Sequence, residues 1–208
     1  MRIVTRSEWG AAVPRSRTRI PTPVPRLWLH HTGSTADSGA RTVRAIQRFH
    51  MGTRGWNDIA YSWLYSPSTR LFYEGRGAGV AGAHTRNDND RSHGLCVLGN
   101  YDTQRPPSHV VDDLRTFLRW HGRYGPARFT GGHRDAPGAA TSCPGRNLYS
   151  LLATLNVSVQ KEPVVALDKT ETEWLEAFVK QSMARDVKPS SLGFIVARWR
   201  ELRDVWSK

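Results

Sequence analysis

Two histidines and a cysteine in this chain have the side chains needed for a metal centre. His133 and Cys143 lie ten residues apart in "GHRDAPGAATSCPG", and "LHHT" places His30 and His31 far upstream. Two imidazoles and one thiolate suit catalytic zinc, which keeps a fourth position for water. The spacing matches no short zinc signature, so a structural strand-end histidine and an ordinary loop thiol remain alternatives. Strand neighbours point to opposite faces, so only one of His30 and His31 is expected to reach a metal.

Such distant residues meet only if the elements between them form a compact fold. The predicted strands are 26–32, 59–66, 70–75 and 93–101, and the predicted helices are 42–51, 110–125 and 147–155. Alternating strands and helices predict an α/β fold, with a sheet packed by helices. In the first helix, the spacing places Val43, Ile46 and Phe49 on one face. The same spacing places Gln47 on the outward face.

The composition changes near residue 160, where the first lysine appears. Residues 1–160 hold 21 Arg and no Lys, whereas residues 161–208 hold 9 Lys and Arg together. We therefore predict one domain at 1–158 and a C-terminal helical segment of two helices at 159–208. A segment of this size is too small to be stable alone. It is expected to dock on the main domain, on a second copy or on a target, as a wall-targeting or oligomerisation module.

The chain is strongly basic, with a net charge of +12, of which +11 lies in residues 1–160. A basic surface attracts polyanions such as nucleic acid or anionic cell-wall polymers. Nucleic acid is the less favoured partner, because the arginines are dispersed and no nucleic-acid motif accompanies them. No apolar run approaches the roughly 20 residues of a membrane span. The N-terminus lacks the apolar region of a secretory signal, so synthesis and folding in a cytoplasm are expected.

Eight sequence blocks resemble, in order, those of a known enzyme family. They are "VTRSEWGA", "LHHTGS", "IQRFHM", "GWNDIAYSWLY", "YEGRG", "GAHT", "GLCVLGNY" and "GHRDAPGAATSCPG", and they span about residues 4–150. With this set the chain resembles the zinc-dependent N-acetylmuramoyl-L-alanine amidases, which include phage lysozyme-type amidases and peptidoglycan recognition proteins. The resemblance implies their fold, a central mixed β-sheet flanked by helices, here with a small C-terminal helical appendage.

The resemblance also implies roles for individual residues. The zinc ligands are His30, which is the first histidine of the pair, His133 and Cys143. Tyr61 in "DIAYSW" and Thr141, two residues before the cysteine, match the catalytic positions. Family members that only recognise murein commonly lack the cysteine ligand, so its presence favours a hydrolase.

Further residues are expected around the centre. Three are predicted to bind substrate or support its groove: His50, Trp56 and His84. For Trp56, packing in the core is an equal alternative. Asp135 is expected either to orient His133, as carboxylates often do for metal-bound histidines, or to pair with Arg134 or another arginine.

The function implied by the resemblance is hydrolysis of peptidoglycan. The substrate is the amide between N-acetylmuramic acid and L-alanine of the stem peptide, and Zn²⁺ activates the attacking water. Without a signal peptide, a phage endolysin that reaches the cell wall after holin-type release is the expected role. The alternatives are a bacterial murein-recycling amidase and a peptidoglycan-recognition module without turnover.

Overall fold

The computed structural model describes residues 1–156, and the predicted helices at 159–208 lie outside the described residues. The strands are β1 (Ile3–Val4), β2 (Arg26–His31), β3 (Trp63–Ser66), β4 (Leu71–Glu74), β5 (Ser92–Val97) and β6 (Gly131–Gly132). They form one sheet in the order β1-β4-β3-β5-β2-β6. The strands β3, β5, β2 and β6 are parallel, whereas β4 runs antiparallel to β3 and pairs in parallel with β1. The predicted α/β class with a central mixed sheet is confirmed.

Helices and single helical turns connect the strands. The helices are α1 (Ala40–Arg48), α2 (His109–His121), α3 (Arg146–Tyr149) and α4 (Leu152–Asn156). A π-helical turn, Phe49–Thr53, continues α1, and a 3-10 turn, His133–Asp135, follows β6 directly. The predicted helix 147–155 is therefore two short helices, and the predicted strand 59–66 begins only at Trp63. Within residues 1–156, no helix has the length and apolar character that crossing a membrane requires.

Strand β2, between β5 and β6, is buried along almost its whole length because the sheet is covered on both faces. Leu27 and Leu29 pack in a cluster with residues of α2 such as Leu114 and Phe117. The alternate residues of β2 point to the other face, where His30 contacts the loop between β4 and β5. The alternation of side chains along β2 thus places apolar residues on one face of the sheet and His30 on the other.

Helix α1 packs with a different face from the predicted one. Val43 and Gln47 are its buried residues, whereas Phe49, which directly follows the helix, is 45% exposed. The Gln47 side chain donates a hydrogen bond to Asp58 Oδ1 at 2.7 Å and accepts one from the Ala12 backbone N–H at 2.8 Å. The prediction that Gln47 faces outward is wrong, because these partners satisfy its amide in the interior.

Candidate active site

Three side chains of ligand type converge at one edge of the sheet. His30 lies at the carboxyl end of β2, and His133 directly follows β6, the parallel neighbour of β2. Cys143 reaches the same place from the loop before α3. The ligand atoms of the three residues all lie within 4.8 Å of one another. The structure thus brings together the three residues that were predicted as zinc ligands.

The loop with Cys143 is held against β6 by close packing and by hydrogen bonds. A Cβ atom at Gly132 would lie 2.5 Å from Cδ of Pro144, so only glycine permits this approach. The backbone N–H of Arg134 donates to the carbonyl of Cys143 at 2.9 Å. Thr141, an exposed residue, accepts the backbone N–H of Cys143 on its Oγ1 at 3.1 Å. The hydroxyl of Thr141 therefore sits beside the cysteine ligand and retains a proton to donate.

A second histidine determines how His30 presents its ring. Nε2 of His30 lies 3.1 Å from Nδ1 of His84, and both rings are buried. Nδ1 of His30, the opposite nitrogen, lies 3.7 Å from Sγ of Cys143. If Nε2 carries the ring proton and donates to His84, the lone pair of Nδ1 faces the cysteine. A hydrogen bond on one ring nitrogen is the usual way in which the metal-binding nitrogen is selected.

The protonation states of the three groups suit a cation. Burial, followed by the neighbouring His84, lowers the pKa of His30 well below its ordinary value, and burial also lowers the pKa of His133. Both imidazoles are therefore neutral near pH 7, as metal binding requires. Burial raises the pKa of the Cys143 thiol to about 12, and a coordinated thiol is deprotonated by its metal. Two neutral imidazoles and one thiol fit zinc rather than magnesium or calcium, which prefer oxygen ligands.

His31 lies away from the three converging ligand atoms. Its Nδ1 accepts the backbone N–H of Tyr101 at 3.1 Å, and its Nε2 lies 4.0 Å from Asp102 Oδ2. Its backbone N–H, however, donates to Sγ of Cys143 at 3.4 Å. Sequence spacing alone did not show which of His30 and His31 reaches the metal site. Because side chains alternate along β2, His30 points toward the other two ligands and His31 points away from them.

Tyr61 lies at the edge of the centre. Its ring centroid is 5.4 Å from that of His30 and 5.9 Å from that of His50. Burial, together with the thiols of Cys96 and Cys143, raises the pKa of Tyr61 well above its ordinary value. The phenol therefore keeps its proton at any physiological pH and acts as a hydrogen-bond donor.

A buried polar network holds the loop that carries Tyr61. Asp58, which is 2% exposed, accepts hydrogen bonds from Arg6 at 3.2 Å, from Gln47 at 2.7 Å and from its neighbour's backbone N–H at 2.8 Å. The backbone N–H of Ala60 donates to Nδ1 of His50 at 3.1 Å. These contacts fix the backbone that directly precedes Tyr61.

His50 and Tyr61 help to line a groove of about 520 Å³. Helix α1 forms one wall, and the loop after β2 forms the other. Its remaining lining residues are Thr32, Ser34, Ala36, Ser38, Arg41, Thr42, Ala45, Ile46 and Phe49. Asp37 fixes the loop wall, since its carboxylate accepts hydrogen bonds from the Ser66 hydroxyl at 2.6 Å and the Ser68 backbone N–H at 2.8 Å. A groove at His50 was predicted from the sequence, but its α1 wall was not, because Ile46 and Phe49 were interpreted as core.

The three residues predicted to contact substrate occupy different places. His50 lines the groove, and Trp56 packs against it with ring centroids 4.8 Å apart. Trp56 is not among the groove-lining residues, so it supports His50 rather than the groove surface. His84 is 5% exposed and lies against His30, which makes it a partner of the metal centre.

Asp135 does not have either of its predicted partners. Its carboxylate accepts the Gly132 backbone N–H and the Tyr149 hydroxyl, both at 2.9 Å. Arg134 instead lies over the ring of Tyr149, 4.5 Å from its centroid. Asp135 thus closes the 3-10 turn that carries His133 but has no hydrogen bond to the imidazole, and both sequence interpretations of Asp135 were wrong.

Comparisons with known proteins agree with this architecture. The family model described as N-acetylmuramoyl-L-alanine amidase matches residues 21–146. Peptidoglycan-recognition protein LB of Drosophila melanogaster is 35% identical over 162 residues, which are 74% of this chain and 68% of that protein. An N-acetylmuramoyl-L-alanine amidase of Sus scrofa is 36% identical over 160 residues, which are 72% of this chain but only 26% of that protein.

Solved structures show the same relationship. Wild-type Drosophila PGRP-LB matches with a TM-score of 0.67 and 31% identity, over 74% of this chain and 93% of that chain. A mutant of PGRP-LB in complex with tracheal cytotoxin matches with a TM-score of 0.66 and 30% identity, over 73% of this chain and 93% of that chain. The chain therefore belongs to the N-acetylmuramoyl-L-alanine amidase family and has the fold of the peptidoglycan-recognition proteins.

Proposed function

We propose that this protein is a zinc-dependent N-acetylmuramoyl-L-alanine amidase. Its reaction is hydrolysis of the amide between the lactyl group of N-acetylmuramic acid and L-alanine of the stem peptide. The observation that carries the proposal is the convergence of His30, His133 and Cys143, with ligand atoms within 4.8 Å of one another. Tyr61, whose ring packs beside His30, also lines the groove. A complete set of three ligands favours hydrolysis over recognition alone.

The proposal assigns specific residues to each part of the reaction. Bound zinc supplies a Lewis acid that polarises a carbonyl and acidifies water. In this proposal the protonated phenol of Tyr61, whose ring packs beside His30, donates a hydrogen bond to the scissile carbonyl oxygen as negative charge develops there. The hydroxyl of Thr141 is a second donor beside Cys143. Hydrolysis then adds the hydroxyl of water to the lactyl carbonyl carbon and a hydrogen to the alanine nitrogen.

The groove suits a glycopeptide. Its volume of about 520 Å³ falls within the roughly 300–1,000 Å³ that is typical of ligand sites. The loop wall offers hydroxyls, such as those of Ser34 and Ser38, for sugar and peptide groups. The α1 wall offers apolar surface from Ile46 and Phe49. This combination of one polar and one apolar wall matches a substrate that joins a sugar to a peptide.

Loss of a single ligand tests the proposal. We expect His30→Ala and Cys143→Ser each to lose bound zinc and hydrolysis of purified murein. His109→Ala, which removes an imidazole at the start of α2, is the matched control and is expected to retain both. Zinc is measured by elemental analysis, and hydrolysis by the release of free L-alanine amino groups. A Cys143→Ser protein with full amidase activity would refute the ligand assignment.

Recognition without turnover is the second candidate, because several relatives are named as peptidoglycan-recognition proteins. The two functions give different results with the same sample. Zinc-loaded wild-type protein that binds murein and releases amino groups is an amidase. Protein that binds murein and carries zinc, but releases no amino groups, is a recognition module.

The cellular role as a phage endolysin stays a prediction, as does attraction to anionic wall polymers through the basic charge. An endolysin lyses a bacterial culture from within only when a holin is expressed with it. Lysis that depends on both proteins and on Cys143 is the expected outcome. Failure to lyse, with full activity on purified murein, would favour a recycling amidase.

A further inference from the structure

Asp102 and Ser142 join the loop after β5 to the loop that carries Cys143. The Ser142 hydroxyl donates a hydrogen bond to Asp102 Oδ2 at 3.0 Å. The same carboxylate oxygen lies 4.0 Å from Nε2 of His31, the last residue of β2. Nδ1 of His31 accepts the backbone N–H of Tyr101, so the proton of the neutral ring is on Nε2 and faces Asp102.

The two loops are also in direct backbone contact. A Cβ atom at Gly145 would lie 2.4 Å from the carbonyl carbon of Tyr101 and 2.6 Å from the backbone nitrogen of Asp102. Gly145 also has a φ of +84°, which favours glycine independently. The backbone N–H of Asn147 donates to the carbonyl of Tyr101 at 3.0 Å. Residues 101–102 therefore form a fixed surface on which the cysteine loop is seated.

These contacts determine where the sulfur of Cys143 lies. Ser142 directly precedes Cys143, so the hydrogen bond of Ser142 constrains the backbone that carries the ligand. The sulfur itself is bound by the backbone N–H of His31 at 3.4 Å and lies 3.7 Å from Nδ1 of His30. Asp102 has a side chain that is 41% exposed, and it belongs neither to the ligand group nor to the groove lining. Its effect on the centre must therefore act through position.

We propose that Asp102, with His31 and Ser142, is a positioning cluster that fixes the third metal ligand, Cys143. This inference rests on the proposed zinc site. Partners that orient metal ligands typically contribute about 10- to 100-fold in metal affinity. From the sequence, a similar orienting role was expected of Asp135. In this proposal the orienting carboxylate is Asp102, which acts on the loop that carries Cys143.

A double-mutant cycle on the full-length chain tests the cluster. We expect Asp102→Ala and Ser142→Ala each to weaken zinc affinity about tenfold, since each removes the same hydrogen bond. The double variant should bind zinc as tightly as the single variant with the lower zinc affinity, because the two effects are coupled. Affinity is measured by competition with a chromophoric chelator. In the cobalt(II)-loaded protein, the sulfur-to-cobalt charge-transfer band should shift or weaken in all three variants.

Asp90→Ala is the matched control, because Asp90 is an exposed loop carboxylate that pairs with Arg91 at 3.3 Å. It should leave both the zinc affinity and the cobalt spectrum unchanged. If Asp102→Ala and Ser142→Ala both kept wild-type zinc affinity, the positioning cluster would be overturned, but not the zinc site. The same conclusion would follow if the fold-losses in zinc affinity of the two single variants multiplied in the double variant. A wild-type chain that binds no zinc would overturn the proposed function, and the cluster with it.

Discussion

The ring of Tyr61 packs beside His30. The hydroxyl is the part of this side chain that can donate a hydrogen bond. Tyr61→Phe keeps the ring and removes the donor. We expect unchanged zinc content and a kcat lower by roughly 10²–10³, the loss typical of one donor to a developing oxyanion. Tyr124→Phe is the control, since Tyr124 packs against Trp63 and Trp120 on the α2 side.

Steady-state kinetics on murein, together with elemental analysis of each protein, make this measurement. A kcat within about threefold of wild type would show that the phenol does not act on the oxyanion, because a lost donor costs far more. A loss of zinc instead of rate would show that the hydroxyl supports the metal centre.

The residue types of the candidate site could be predicted from the sequence, but their partners could not. Period-two alternation along a strand indicates that one of His30 and His31 reaches a metal, without indicating which. The resemblance to a family selected His30, and the structure places that residue in the cluster. The contact of His30 with His84 joins residues 54 positions apart. Such a contact has no local signal in the sequence, and the carboxylate nearest in sequence, Asp135, was the wrong candidate for orienting a ligand.

Helix α1 shows the same limit for an element. Apolar spacing predicts that a helix buries one face, and Val43 is indeed buried. It does not predict that Gln47 finds a buried carboxylate, or that Phe49 lies in a groove wall. Both outcomes depend on elements that are distant in sequence. The face of an amphipathic helix is therefore predictable only where the buried side chains are apolar.

The loop before β3 depends on one carboxylate. Asp58→Ala would leave the Arg6 guanidinium and the Gln47 amide partly buried without their shared acceptor. Breaking a buried charged pair by removing one partner typically destabilises by about 3–5 kcal/mol. We expect a loss of free energy of unfolding in that range, measured by urea denaturation.

Asp112→Ala is the control for this loss. Asp112 is an exposed residue of α2 that lies 4.0 Å from Arg115, and an exposed pair contributes at most about 1 kcal/mol. If Asp58→Ala destabilised no more than Asp112→Ala, the loop that carries Tyr61 would be held by backbone contacts alone.

At the scale of the whole molecule, the fold class and the long strands followed from the sequence, and the two shortest strands did not. Strands β1 and β6 have two residues each, which is too few for an alternating pattern to be visible. Strand β6 is nevertheless the element that brings His133 beside β2. The sequence thus predicted the sheet better than it predicted the edge where the site forms. The role of residues 159–208 remains a prediction, because they lie outside the described part of the chain.

A buried histidine pair joins the sheet to α2. Nδ1–H of His121 donates to the carbonyl of Pro126 at 2.9 Å, so its Nε2 accepts the Nδ1–H of His93, also at 2.9 Å. Burial lowers the pKa of both rings, that of His93 to about 3. Each ring is the other's nearest titratable partner, and His84, also neutral through burial, is a further neighbour of His93. Within residues 1–156, neither ring forms an ion pair with a carboxylate.

This pair predicts that the protein loses stability as the pH falls below about 6.5, where an unfolded histidine takes up its proton. The folded His93 stays neutral, so the unfolded state binds more protons, and the free energy of unfolding falls by up to about 1.4 kcal/mol per pH unit for each such group. In His93→Gln, the free energy of unfolding should fall less steeply with pH, by the contribution of about one histidine. The slope is measured by urea denaturation with excess zinc, between about pH 6.5 and 5. Phe117→Leu, which alters the packing on His121, should lower stability at every pH without changing the slope. Equal slopes for His93→Gln and wild type would mean that His93 titrates alike in the folded and unfolded chain.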